Sequence, residues 1–242
     1  MTSNKKKMIA IAGSPNVWKS ALFTALSGEF ANISNYPGTS VEITRGVMNH
    51  RGTEIEIVDT PGMYSIAPIS EEEAIARRII LKEEFDAVLH VVDAKNIERN
   101  LPMTLQFLEA GLPVILVLNI IDEAEKEGVI IDTERLGEIL QVPVVATAAT
   151  SGRGIAELKD TIAAYRATEE KDALYPLKYS GALEAALDKI TGILGKESAL
   201  KFSARSQAVL LMKEDREIEA TVPLGGRESA LAVVRVFAGE NG

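Results

Sequence analysis

Along this chain, short apolar runs alternate with stretches in which apolar positions recur every three to four residues. The runs Met8–Ala12, Glu42–His50, Glu54–Asp59, Ala87–Asp93, Pro113–Asn119 and Val144–Thr147 have the length and composition of strands. Between them, Lys19–Leu26, Glu71–Lys82, Leu101–Ala110, Thr133–Leu140 and Ile155–Ala167 carry the helical period. Such alternation predicts an α/β fold, a mostly parallel six-stranded sheet flanked by helices. The stretch His50-Arg51-Gly52-Thr53 is short enough for a hairpin turn, so two of the strands should pair antiparallel. Ser70 followed by Glu71, Glu72 and Glu73 reads as a helix cap with acidic residues in the first turn, matching the helix dipole.

The pattern changes after about residue 170. From Ser180 to Ser229 amphipathic segments such as ALEAALDKITGIL and SARSQAVLLMKED are separated by Gly195 and followed by a turn at Pro223, Gly225 and Gly226. The expected organisation is an α/β domain over 1–168 and a small helical domain over 169–242.

Composition narrows the function. The chain has 242 residues, 46% of them apolar, no cysteine and a net charge of −9. Disulfide frames and thiolate metal sites are therefore excluded, and the acidic balance gives no general attraction to nucleic acid or anionic lipid. No apolar run approaches the roughly 18 residues of a membrane helix, so a soluble chain is expected. His50 and His90 are isolated, without metal-pair spacing; His90, inside a strand, reads as a packed histidine. Glu71, Glu72 and Glu73 read as a solvated helix start rather than an iron cluster, and Met103, Phe107 and Leu108 as core.

Four short motifs carry chemistry. Gly13–Ser20, GSPNVWKS, follows a strand and opens a helix, the context in which backbone N–H groups cradle phosphates. Lys19 would meet the β- and γ-phosphates and Ser20 would bind Mg²⁺, but Trp18 stands where the pattern wants glycine. Forcing that residue into a glycine-type conformation costs on the order of 1–3 kcal/mol. That is about 5- to 150-fold in affinity. Asp59-Thr60-Pro61-Gly62, at a strand end, would place a carboxylate near Mg²⁺ and a glycine N–H near a γ-phosphate. Asn119-Ile120-Ile121-Asp122 suits guanine: Asp122 accepts from N1 and the exocyclic amine, while Asn119 ties the loop to the phosphate loop. In Thr147-Ala148-Ala149, the Ala149 N–H would donate to the guanine oxygen, and Ala148 lacks a hydroxyl that would brace the loop. In this order and at these strand ends, the four motifs make a guanine-nucleotide-binding domain.

The segments NYPGTSVE (35–42), DTPGMYSI (59–66), residues 91–128 and SGRGIAELK (151–159) resemble the cytosolic N-terminal G domain of ferrous iron transport protein B (FeoB). The likeness covers roughly residues 8–167, and the tail more loosely resembles the helical domain that follows in that family, proposed to favour GDP binding. It implies a Ras-like P-loop GTPase fold with GTP or GDP as ligand and Mg²⁺ as cofactor. Gly13, Asn16, Val17, Trp18, Lys19, Ser20 and Gly62 would bind phosphate, with Asn16 coordinating K⁺ as in potassium-activated members. Switch I, Asn32–Val41, would include Tyr36, Pro37, Gly38, Thr39 and Ser40; Ser40 aligns with the Mg²⁺-binding threonine and Thr39 is the second choice. Ser20, Ser40 and Asp59 would hold Mg²⁺, and Asn119, Asp122, Ala148 and Ala149 the guanine. Met63 replaces the water-orienting glutamine of many small GTPases, so hydrolysis should be slow and no catalytic side chain is assigned. The partners implied are guanine nucleotide and the membrane-embedded Fe(II) transport domain of the same full-length protein, at the cytoplasmic face of the cell membrane. Homo-oligomerisation is left open and no nucleic acid is expected. The rival readings are a degenerate G domain acting as sensor or scaffold, and an RNA-associated GTPase of ribosome assembly, which the acidic balance disfavours.

Overall fold

In a computed structural model of the chain, residues 6–28, 31–166, 178–195 and 203–241 are described. Two compact units emerge: Met1–Thr104 with Pro113–Glu169, and Leu105–Leu112 with Glu170–Gly242. The expected boundary at 168/169 and the last residue of the expected helix Ile155–Ala167 lie outside the described residues.

The first unit holds a sheet of seven strands, one more than the six expected: β1 (Lys7–Ala12), β2 (Ala31–Asn35), β3 (Glu42–His50), β4 (Thr53–Asp59), β5 (Ala87–Asp93), β6 (Val114–Asn119) and β7 (Val144–Ala146). Their order is β2-β3-β4-β1-β5-β6-β7, with β2, β3 and β4 antiparallel and the remaining pairs parallel. The extra strand, β2, is a neutral edge segment without apolar alternation, exposed over residues 32–35 and held by its ladder to β3 from Ala31↔Gly46 to Asn35↔Glu42. Strands β5 and β6 are buried along nearly their whole length, as expected where helices cover both faces of a parallel sheet.

On one face Ile9, Ile11, Leu89, Val91, Ile115 and Val117 pack with Leu22, Phe23 and Leu26 of α1 (Lys19–Ser27) and Leu158 and Ile162 of α6 (Ile155–Ala164). On the other face Ile43 and Val58 meet Ile75 and Ile79 of α2 (Glu71–Lys82), with Tyr36 and Val41 against them. Helix α3 (Ile97–Glu109) begins four residues before the expected Leu101, because Asp93 caps the preceding turn by accepting from Lys95 N–H at 2.9 Å. Two further helices, α4 (Ile121–Lys126) and α5 (Thr133–Leu140), lie between β6 and β7 in sequence.

The second unit contains α7 (Gly181–Leu194), α8 (Ala204–Met212), α9 (Arg216–Thr221) and α10 (Leu224–Asn241). The turn expected at Pro223, Gly225 and Gly226 is instead the start of α10. Proline suits a helix start, since it has no N–H to leave unpaired, and its carbonyl accepts from Gly226 and Arg227 N–H. Arg205 forks onto Glu184 at 2.8 and 2.9 Å and donates to Glu109 at 3.1 Å, and the Tyr179 hydroxyl donates to Glu109 at 3.0 Å.

Candidate functional site

The chain leaves β1 toward β2–β4 on one side and returns to β5–β7 on the other, so β1 lies at the topological switch point, where open α/β sheets bind ligands beyond their strand ends. The loops after β1, β4, β6 and β7 leave from these carboxyl ends and carry all four motifs.

In the loop after β1, Gly13 is fixed by close approach: a Cβ there would lie 2.2 Å from the Val91 carbonyl oxygen. Asn16 and Trp18 hold left-handed backbone, φ 67° and 61°, on either side of Val17, whose φ is not positive. Such alternation turns successive N–H groups toward one point, the geometry of an anion nest. Trp18 already occupies the conformation that glycine would take, and its indole is 55% exposed. Lys19 Nζ donates to the Ser14 carbonyl at 3.1 Å, and the Ser14 hydroxyl donates to Asn100 Oδ1 at 2.9 Å.

After β4, Thr60 anchors the chain by donating N–H and Oγ1 to the Ile11 carbonyl at 3.1 and 2.9 Å. The Ser20 hydroxyl donates to Asp59 Oδ2 at 3.1 Å, while Asp59 Oδ1 is buried without a hydrogen-bond partner. Burial raises the Asp59 pKa against the opposing pull of Lys19 and the Ser20 hydrogen bond, and burial lowers the Lys19 pKa against the pull of Asp59. Both charges are thus desolvated without being closely paired. A buried carboxylate oxygen without a donor, beside a serine hydroxyl, fits a hard divalent cation. A side chain on Gly62 would meet Pro15 Cγ at 2.8 Å. Met63 is fully buried and its N–H donates to the Gly13 carbonyl at 3.1 Å.

In the segment expected to be switch I, the Thr39 hydroxyl donates to the Tyr36 carbonyl at 3.0 Å and accepts from Val41 N–H at 3.3 Å, closing the turn, while Ser40 is exposed. Tyr36 packs against the cluster of Ile43, Val58, Ile75 and Ile79, and Pro37 and Gly38 are exposed at the tip of the turn.

Asn119 is the hub of the loops expected to meet the base. Its Nδ2 donates to the Val17 carbonyl at 3.0 Å, and its Oδ1 accepts from the Thr147 hydroxyl at 3.0 Å and Ala149 N–H at 3.1 Å. The Ala149 N–H expected to serve guanine is therefore engaged by Asn119, and a base oxygen would share or displace that bond. Ala148 is buried, with its N–H on the Arg153 carbonyl at 3.0 Å. Asp122 lies in the first turn of α4, just after Ile120 at φ 63°.

Three contributors were not assigned from the sequence. Thr147 braces Asn119 through its hydroxyl. Arg153 forks onto Glu125 at 2.6 and 2.7 Å. Glu73 is buried rather than solvated, and accepts from Tyr64 N–H at 3.2 Å and Ile69 N–H at 2.7 Å, pinning the chain after Gly62. The Ser70-x-x-Glu73 spacing was the available signal: Ser70 Oγ accepts from Glu73 N–H at 3.2 Å, half of a capping box whose glutamate reaches beyond the cap. His90 is a packed histidine, with Nδ1 2.9 Å from the Thr104 hydroxyl, and burial together with the Lys19 charge pushes its pKa down to about 3. Among the described residues no group of three or more His, Cys, Asp or Glu side chains could hold a metal by itself.

Compared with known proteins, residues 7–162 match the family model of Ferrous iron transport protein B. The chain belongs to the FeoB family. A Porphyromonas gingivalis relative, an Fe(2+) transport protein A/Fe(2+) transporter FeoB fusion protein, is 38% identical over 219 residues, covering 88% of this chain and 26% of the relative. The chain spans about a quarter of the length of the curated relatives it matches, 26% of each of the first two. Among solved structures, an S. thermophilus NFeoB mutant bound to mGDP has a TM-score of 0.86 at 35% identity, covering 96% of this chain and 89% of that one. The cytosolic domain of the T. maritima FeoB iron transporter in a GDP form has a TM-score of 0.83 at 33% identity, covering 97% of both chains. The fold is thus the Ras-like P-loop GTPase fold of FeoB G domains. Among the described residues no helix is long and apolar enough to cross a membrane.

Proposed function

We propose that this FeoB-family G domain binds GTP and GDP with Mg²⁺, hydrolyses GTP slowly, and regulates an Fe(II) transport domain in the same full-length protein. The observation that carries the reading is the Asn119 hub, which joins the phosphate loop at Val17 to the base loop at Ala149 in one hydrogen-bonded unit. Asp122 gives the carboxylate that selects guanine, since adenine presents an acceptor where guanine presents N1–H. The guanine nucleotides named for the S. thermophilus and T. maritima structures support the same ligand.

Ser20, Ser40 and, through Asp59, the base of switch II would hold Mg²⁺, which supplies charge neutralisation at the β- and γ-phosphates. With the Thr39 hydroxyl engaged in its own turn, Ser40 is the better donor from switch I. Asn16, exposed on a left-handed residue, would offer its side-chain oxygen to K⁺. Burial of Met63 supports hydrolysis without a side chain from that position, resting on backbone N–H groups and cations. Trp18 weakens nucleotide binding without abolishing it. The backbone strain, about 1–2 kcal/mol for a left-handed residue, is already present without ligand and is borne by the fold. The loss in affinity then comes from crowding beside the phosphates, roughly tenfold.

Titration calorimetry with GDP, a GTP analogue and ATP, in Na⁺ and in K⁺, with and without Trp18→Gly, tests this. Guanine nucleotides should bind and ATP should not, and Trp18→Gly should tighten GDP binding about tenfold. Equal affinity for ATP and GTP would overturn the guanine assignment, and binding only after Trp18→Gly would mark a degenerate domain.

A further inference from the structure

We propose that Glu125 is a decoy carboxylate: by holding Arg153 in a bidentate ion pair, it keeps that guanidinium off Asp122 and leaves Asp122 open to the base. The proposal rests on the guanine reading of the site.

Asp122 and Glu125 stand three residues apart on α4, so their side chains leave neighbouring positions of one helix face. Arg153 faces them from the loop after β7, where its carbonyl accepts from Ala148 N–H at 3.0 Å and fixes its backbone. Its Nη1 and Nη2 meet Glu125 Oε2 and Oε1 at 2.6 and 2.7 Å. Lys95 takes Glu123 at 2.6 Å and reaches Glu127 at 3.9 Å. Among the described residues, Asp122 has no hydrogen-bond or salt-bridge partner, although its charge is felt by Arg153 after that of Glu125. Arg153 thus engages one of two carboxylates that stand about one turn apart on the same helix. Without Glu125, a fork onto Asp122 would occupy the oxygens that guanine N1–H and its amine require. The Arg153–Glu125 pair is half exposed on both sides, so it contributes little to stability, and its variants remain folded.

The test is GDP binding by the full chain, parent and Trp18→Gly, each carrying Glu125→Gln, Arg153→Gln or both. Glu125→Gln should weaken GDP binding about tenfold, the worth of hydrogen bonds to a charged group, while Arg153→Gln changes it by less than about threefold. The double variant should return to within about threefold of its parent, because the competitor is gone. Equal losses in the two single variants without rescue would mean a simple loop clamp and would overturn the proposal. A ligand-free readout separates this outcome from failure of the guanine reading. Exchange-protected Arg153 guanidinium protons in ¹⁵N NMR should persist in Glu125→Gln and vanish in Glu125→Gln with Asp122→Asn. Their loss in Glu125→Gln alone would overturn the proposal. If neither parent binds GDP, the guanine reading fails, and the guanidinium signals still decide where Arg153 goes.

Discussion

At the end of the site proposed to hold phosphate, Asn16 and Trp18 hold left-handed backbone, Lys19 and Asp59 are desolvated, and one Asp59 oxygen lacks a donor. At the base end, Asn119, Thr147 and Ala149 satisfy one another, and the neighbouring α4 carboxylates Glu123 and Glu125 are paired with Lys95 and Arg153. The difference shows where each end gets its geometry. The base end is held by its own hydrogen bonds, so a ligand there would need little further ordering. The phosphate end holds separated buried charges whose desolvation a cation and an anionic ligand would offset together. The same contrast orders the expected consequences of substitution.

Asn119→Ala should do the most damage, because it breaks the base end where it meets the phosphate end. The side chain is 1% exposed, and its loss strands the Val17 carbonyl, the Thr147 hydroxyl and the Ala149 N–H. Three stranded polar groups in a buried network amount to about 3 kcal/mol, read as a lowered denaturation midpoint at unchanged m-value. A loss below about 1 kcal/mol would mean that water replaces the hub and that the base end is not self-sufficient.

The second test reads the cost of keeping His90 neutral beside Lys19 at the phosphate end. His90 has its pKa pushed from 6.5 down to about 3, first by burial and then by Lys19. The unfolded chain takes up this proton below about pH 6.5 and the folded chain does not, so stability falls as the pH drops. Between pH 7 and 5 the loss should be about 2 kcal/mol from this group. Denaturation of His90→Asn over the same range should show a slope reduced by that amount, whatever its absolute stability. An unchanged slope would place the proton elsewhere.

Much of this contrast was legible before the fold was known, because the motifs are local and sit at strand ends that hydrophobic runs announce. What was not legible depends on distant partners. Strand β2 has no apolar alternation, since both its faces are exposed and β3 alone defines it. Glu73 reads locally as a solvated cap residue, but the chain after Gly62 folds over it and donates two N–H groups. Ala149 was expected to present a free N–H, yet the Asn119 carbonyl, thirty residues away in sequence, takes it. Pairing of Arg153 with Glu125 likewise depends on the Ile121 N–H of α4 donating to the Thr147 carbonyl and on the Ala148 N–H folding the loop back onto Arg153.

Trp18→Gly should sharpen the contrast with a smaller effect on stability. Removing the left-handed strain gains about 1–2 kcal/mol. Glycine's larger entropy loss returns roughly 0.5–1 kcal/mol of it. The net stabilisation should therefore lie between zero and about 1.5 kcal/mol, while GDP affinity rises about tenfold. A large gain in stability with no gain in affinity would show that the indole does not crowd the phosphates at all.

The smallest effect on stability separates two adjacent hydroxyls in the segment proposed as switch I. Thr39 makes two hydrogen bonds inside its turn, to the Tyr36 carbonyl and from Val41 N–H, whereas Ser40 is exposed. Thr39→Ala should therefore cost about 0.5–1 kcal/mol of stability in a partly exposed turn, and Ser40→Ala almost none. Mg²⁺-dependent turnover of GTP should respond in the opposite order, falling far more in Ser40→Ala. If Thr39→Ala is the variant that loses Mg²⁺ dependence, the turn must open when ligand binds, exchanging the Tyr36 and Val41 bonds for a metal. In that case the switch, like the charges beneath it, would take its working geometry from the nucleotide rather than from the chain.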